Sequence, residues 1–172
     1  MTATAGHAAR AIALCLCLAL AGLPFAASAC SIKGGSMPTP EELVAKAEGI
    51  YLAQATAYAL DPPKDGYYGV QTQIEFAVHE TLKGPPRALL EVPGAFADHD
   101  DFNERPVPYT WVRGDGTRGS CFATTYKQGA SYLLMLQHGH VYWAALMPVN
   151  EQVRGPDDAW VAWVRNRVRW TR

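Results

Sequence analysis

The chain has 172 residues, with 15 Lys and Arg against 16 Asp and Glu, so its formal net charge is −1. Proteins that bind nucleic acids use a general basic field, and this charge balance therefore argues against a nucleic-acid partner. The length fits a single domain of ordinary size.

The first 29 residues predict a cleaved secretory signal peptide. Arg10 precedes an apolar run over residues 11–23, which is too short to span a bilayer. The sequence A-S-A that ends at Ala29 supplies the small residues of a cleavage site. We therefore expect residues 30–172 to form one exported domain, secreted or periplasmic, and no later segment is apolar enough for a transmembrane span.

Cleavage would leave two cysteines, Cys30 and Cys121, in the mature chain. Two thiols in an exported protein favour one disulfide between them. The sequence before Cys30 also loosely matches a lipobox, the motif that directs attachment of a lipid to the following cysteine, although Ala27 replaces the usual leucine. In that alternative a lipid anchor on Cys30 would attach the protein to the membrane.

The first elements after the cysteine are a helix and a strand. Thr39 as N-cap, Pro40 at the first helical position and Glu42 two residues later predict a helix over residues 40–48, with a capping box. Gly49 would end this helix. The apolar run 50–60 predicts the first strand.

The longest strand is predicted over residues 70–84, where apolar and polar side chains alternate. A strand of this length tends to bend around a barrel or sandwich core. Residues 87–93 predict a third strand. The expected inward-facing residues of the long strand are Val70, Thr72, Ile74, Phe76, Val78 and Leu82.

The second half of the chain begins with a connection over residues 94–120 that has no regular pattern. A connection of this length is usually either functional or mobile. Strands are predicted at 132–137 and 141–149, joined by a tight turn at His138–His140. A final amphipathic helix would start at Asp157 as N-cap. Its expected core-facing side is Trp160, Trp163, Val164, Arg167 and Val168.

About five strands with a capping helix predict a mostly β protein built as a small closed barrel of the OB type. The order of features resembles the netrin-like domain of tissue inhibitors of metalloproteinases. The resemblance rests on the N-terminal Cys30, the strand ending in Leu82-Lys83-Gly84, the aromatic residue after Cys121, and the G-x-x-Y-L-L pattern at 129–134.

The resemblance implies a five-stranded OB barrel with flanking helices and a bond between Cys30 and Cys121. It also implies that the α-amino group and carbonyl of Cys30 chelate the zinc of a metalloprotease, while the Ser31 side chain enters the specificity pocket. A terminal amine suits this role because its pKa lies near 8. The expected function is a non-enzymatic protein-binding module, with a zinc metalloprotease as its partner.

Other motifs carry weaker hypotheses, and we predict no catalytic residue, metal or cofactor. His138 and His140 with a third histidine, His79 or His99, could bind zinc, but exposed turn histidines are the favoured interpretation. The acidic run 98–101 lacks the pattern of a calcium loop. The tripeptide R-G-D at 113–115 is attributed to chance. The remaining alternatives are a lipid-anchored envelope protein and an enzyme that uses the 94–120 connection.

Overall fold

The structure is a computed structural model that describes residues 37–60, 72–118 and 121–170. The described chain is mostly β, as predicted, and none of its helices is long and apolar enough to cross a bilayer. The helices are α1 (Pro40–Lys46), α2 (Gly114–Thr117) and α3 (Ala159–Trp170). The strands are β1 (Gly49–Leu60), β2 (Gln73–Lys83), β3 (Leu89–Pro93), β4 (Ala95–Ala97), β5 (Thr125–Lys127), β6 (Ser131–Leu136) and β7 (Asn150–Val153).

Five strands form an antiparallel sheet in the order β3-β2-β1-β6-β7, and β4 pairs with β5 as a separate parallel ribbon. Three consecutive strands followed by a later strand that returns beside the first is the order of a Greek key. Within the described chain the two edge strands, β3 and β7, do not pair with each other. The predicted closed OB barrel is therefore not confirmed.

Strand β6 and the first part of β1, residues 49–55, are buried on both faces. On β1, Ile50 and Leu52 point to a face covered by α1 and α3, which we call the helix face. Tyr51 and Ala53 point to the opposite face, which is covered by aromatic residues of the later connections and which we call the loop face. Because both faces are buried there, the amino-acid sequence at the start of β1 is apolar at successive positions and does not alternate between apolar and polar residues.

The long strand was predicted to keep one apolar face throughout, and this is wrong beyond Val78. The β1–β2 register slips at His79 and again at Leu82, so each of these residues has no partner on β1. The bulge at His79 inserts one extra residue into β2, so the side chains between it and the second bulge lie on the opposite face from the one predicted. Ile74 and Phe76 consequently pack on the loop face, whereas Leu82 packs on the helix face.

The capping box of α1 forms as predicted. Thr39 Oγ1 accepts a hydrogen bond from the Glu42 amide at 3.2 Å, and Glu42 Oε2 accepts one from the Thr39 amide at 2.8 Å. The helix is shorter than predicted, because Gly49 does not close it but begins β1. The Lys83 ammonium instead donates to the carbonyls of Val44 and Ala45 at its C-terminal end.

The C-terminal helix is also present, with two corrections. Asp158, not Asp157, is its N-cap, because the Asp158 carboxylate accepts from the Trp160 amide at 2.9 Å. Trp160 is fully buried, but the predicted core position Arg167 is exposed and lies over the Trp163 ring.

The strand predicted over residues 141–149 is wrong. The tight turn at His138 forms, with reciprocal backbone hydrogen bonds between Gln137 and His140 at 3.0 Å. Beyond it the chain leaves the sheet: the Leu146 amide donates to the Cys121 carbonyl, and the Leu146 carbonyl accepts from the Val112 amide. These backbone groups bind the long connection, so the next sheet strand is β7.

Gly84 gives the fold a testable constraint. Its φ is +87°, and a Cβ built there would lie 2.5 Å from the Glu48 carbonyl oxygen. Gly129 has a similar φ of +79° but open space around it. We expect Gly129→Ala to cost about 1–2 kcal/mol through the backbone conformation alone, and Gly84→Ala to cost distinctly more. Urea denaturation of both variants measures the difference, and equal losses would contradict the close packing of Gly84.

Candidate functional site

The predicted protease-binding residues, Cys30 and Ser31, lie outside the described residues, so their roles and the Cys30–Cys121 bond remain predictions. The described chain starts at Met37, whose side chain packs against the same small apolar cluster as Cys121. This cluster consists of Val112, Ala123 and Leu146. The start of the described chain therefore lies on the surface that presents Cys121.

The backbone around Cys121 is strained. Cys121 has a φ of +68° and Leu146 a φ of +61°, which is the left-handed region that residues other than glycine rarely adopt. The two residues are joined by a hydrogen bond from the Leu146 amide to the Cys121 carbonyl at 2.7 Å. Strained non-glycine residues cluster at binding and active sites, where the surrounding structure holds them in place.

The most unusual group beneath this surface is the Arg113 guanidinium, which is 1% exposed. It donates to Asp101 Oδ2 at 2.8 Å, and Nε donates to the Asn150 carbonyl at 3.0 Å. It also contacts the rings of Tyr126 and Tyr132, each at 5.4 Å. A buried charge is stable only when it is paired and its donors are satisfied. Arg113 meets this condition by joining the long connection to β6 and β7 of the sheet and to β5 of the parallel ribbon.

Glu151, on the edge strand β7, is a second buried ionisable group and is 0% exposed. Its two carboxylate oxygens accept from the Asn103 side-chain amide at 2.9 Å and from the Arg113 backbone amide at 3.1 Å. The Asn103 amide also donates to the Trp111 carbonyl at 2.8 Å. One carboxylate thus holds both ends of the loop formed by residues 103–113.

This clamped loop presents a cation and an aromatic ring to solvent. The Arg105 guanidinium lies 5.6 Å from the centre of the Trp111 ring, and Trp111 is among the exposed large apolar residues. Tyr109, by contrast, turns inward and packs on Trp160. Trp111 precedes Val112, a member of the cluster beside Cys121, so the loop adjoins the surface that carries Cys121.

The structure also places the residues of the weaker motifs. In the R-G-D tripeptide Arg113 is buried, which is inconsistent with an adhesion motif and agrees with a chance occurrence. His138 is exposed and faces Glu48 at 3.1 Å, as expected for a turn histidine. In the described part of the chain no group of three potential ligands is close enough to hold a metal.

The acidic run separates into different partners. Asp100 pairs with Lys127 at 2.7 Å, and Asp101 pairs with the buried Arg113. His99 lies between Asp98 and Asp115, and hydrogen bonding to Asp115 raises the pKa of His99. The carboxylates of the acidic run are thus paired with different side chains of the protein.

The sequence analysis did not single out Glu151 or Asn103. No local signal marks them, because their partners lie 38 and 48 residues away in the chain. The one available sign was composition: the polar run N-E-Q at 150–152 stands between apolar segments. A strand whose polar residues are all buried needs polar partners from another segment.

No protein-family model matches this sequence, and comparison with curated proteins finds no significant match.

Burial of Glu151 predicts a pH-dependent stability. Burial raises the pKa of Glu151 to about 7, against the opposing charge of Arg113 and the hydrogen bond from Asn103. At pH values between the pKa of Glu151 in the unfolded chain and about 7, the folded protein binds one proton more than the unfolded protein. The free energy of unfolding should therefore fall as the pH rises from about 5 to about 8. The stabilisation that comes from this proton is fully present below the pKa of Glu151 in the unfolded chain, and it is lost as the pH rises through about 7.

Glu151→Gln should flatten this dependence, since glutamine does not titrate. Urea denaturation at pH 5, 6, 7 and 8 measures the slope in both proteins. Glu91→Gln on the edge strand β3 is the matched control, because Glu91 is exposed. An unchanged slope in Glu151→Gln would contradict the buried-acid assignment.

Proposed function

We propose that the protein is an exported, netrin-like binding module that contacts a protein partner through its N-terminus. The observation that carries this proposal is the packing of Met37 and Cys121 against one apolar cluster. Met37, seven residues after Cys30, thus shares this cluster with Cys121, whose backbone is strained. A disulfide between Cys30 and Cys121 would then hold the terminal amine at this surface.

The strand order supports the netrin-like part of the proposal. An OB barrel is a partly open Greek-key barrel of five strands. The sheet here has five strands in Greek-key order, and Phe102 of the connection adds an isolated parallel pairing to the β7 edge, at Gln152. Closure of the remaining gap between this edge and β3 would complete the barrel.

The chemistry of the connection supports binding rather than catalysis. Asp101, Glu151 and Arg113 are buried, and each is occupied by hydrogen bonds to the protein itself. Groups so engaged fix the shape of the connection. What the connection offers to a partner is its outer surface, where Arg105 and Trp111 lie beside the cluster that contacts Cys121.

A zinc metalloprotease is the partner that the N-terminus suits best. The amine and carbonyl of the first residue form a two-atom chelate, and an amine with a pKa near 8 loses its proton readily on metal binding. In this proposal Cys30 binds the zinc of the protease and the Ser31 side chain occupies the adjacent pocket.

The test is titration of the mature protein, residues 30–172, against a panel of zinc endopeptidases. We expect inhibition at micromolar concentration or below. The matched control is the same protein with one alanine added before Cys30, which moves the amine and should abolish inhibition. Inhibition by neither form, or equally by both, would contradict the chelating role.

Intact mass makes the test decisive. The mass of residues 30–172 less two hydrogens, gaining two on reduction, would establish a free amine and a disulfide. A mass larger by a diacylglycerol and an acyl chain would identify the lipid-anchored alternative and exclude a chelating amine.

A further inference from the structure

The five-stranded sheet has one edge that the described chain leaves uncovered. At the β7 edge, Phe102 of the connection pairs with Gln152. At the other edge, β3 pairs with β2 on its inner side and with no described strand on its outer side. The outer side of an edge strand presents backbone donors and acceptors, so another strand can be added to it.

Alternate residues of β3 direct their backbone groups to this outer side. The Ala88 carbonyl accepts from the Val78 amide of β2 at 2.8 Å, and the β2–β3 register continues without a shift to Pro93. In an antiparallel pair every second residue bonds to the same neighbour, so the even-numbered positions of β3 face β2. The amides and carbonyls of Leu89 and Glu91 therefore face outward, and no residue of the described chain bonds to them.

The side chains of these two residues are exposed, whereas their neighbours in the strand pack on the loop face. Leu89 is 54% exposed. Glu91 lies directly opposite Glu75 of β2, where like charges are destabilising. Within the part of the chain that the structure describes, neither Glu91 nor the exposed Arg87 belongs to an ion pair. The β3 edge therefore favours an added strand that brings a cation beside Glu91.

A second copy of β3 supplies such a strand. In an antiparallel pair with its two-fold axis at Leu89, the outward backbone groups of the two Leu89 residues bond to each other. The same register brings Arg87 of each copy opposite Glu91 of the other, so two pairs of opposite charges form. An axis at Glu91 would instead oppose two carboxylates, and an axis at Leu90 would place each Glu91 opposite a leucine. Charge complementarity thus selects the register centred on Leu89.

We propose that the protein forms a homodimer through antiparallel pairing of two β3 strands, with the two-fold axis at Leu89. The two five-stranded sheets join into one continuous sheet, and the exposed Leu89 side chains pack on each other across the axis. Pro86 and Pro93 lack an N–H and bound the pairing segment, so the interface is small and dimerisation depends on protein concentration. The dimer does not involve Cys30, and it stands or falls separately from protease inhibition.

Sedimentation equilibrium of the mature protein, residues 30–172, between about 10 µM and about 1 mM measures this association. We expect a reversible equilibrium between monomer and dimer. Arg87→Glu and Glu91→Arg each replace both pairs of opposite charges by pairs of like charges, so each variant alone should dimerise about tenfold more weakly. Lys46→Glu is the matched control, because it makes the same charge change as Arg87→Glu at an exposed position of α1. It should leave the equilibrium unchanged.

An equimolar mixture of the two variants tests the register. In a mixed dimer one protomer carries carboxylates at positions 87 and 91 and its partner carries guanidinium groups at both, so both pairs are attractive again. We expect the mixture to recover the wild-type affinity, and the melting temperature of each variant verifies its fold. The proposal is overturned if the wild-type protein stays monomeric at the highest concentration, or if the mixture associates no better than either variant alone. Dimerisation that neither charge substitution weakens would also overturn it.

Discussion

The structure depends on one buried cation, the Arg113 guanidinium. A charge in this position would be strongly destabilising without its partners, so Asp101 and the carbonyls of Asn150 and Thr125 must surround it. These partners come from the connection before α2, from β7 and from β5. The buried charge therefore ties the irregular connection to two strands, β7 and β5. Glu151 completes the arrangement by holding both ends of the loop at 103–113.

This constraint explains how an irregular connection keeps a defined outer surface. The loop at 103–113 and Cys121 contact one small apolar cluster. Glu151 holds the loop from beneath, and the Asn150 side-chain amide donates to the Ala123 carbonyl, two residues after Cys121, at 2.6 Å. Their exposed residues can therefore meet a partner without first becoming ordered, which lowers the entropic cost of binding. Rigid support beneath an exposed surface is what the proposed binding role requires.

The sequence predicted those features whose signals are local. The capping box at Thr39 and the turn at His138 depend on residues within four positions, and both form. The bulges at His79 and Leu82 were not predictable, because they follow from pairing with β1 and packing against the helices. For the same reason the sequence identified the 94–120 connection as irregular but not the role of Arg113, whose partners on β7 lie 37 residues away.

Native-state hydrogen exchange of the wild-type protein tests this account most directly. The amides of Asp101, Arg113 and Asp115 are bound within the polar network, donating to Gln152, Glu151 and Asp101 respectively. If the network fixes the connection to the sheet, these amides should exchange only with the free energy of global unfolding, like those of β1 and β6. Exchange through a local opening of much lower free energy, with β1 and β6 still protected, would contradict the central role of Arg113.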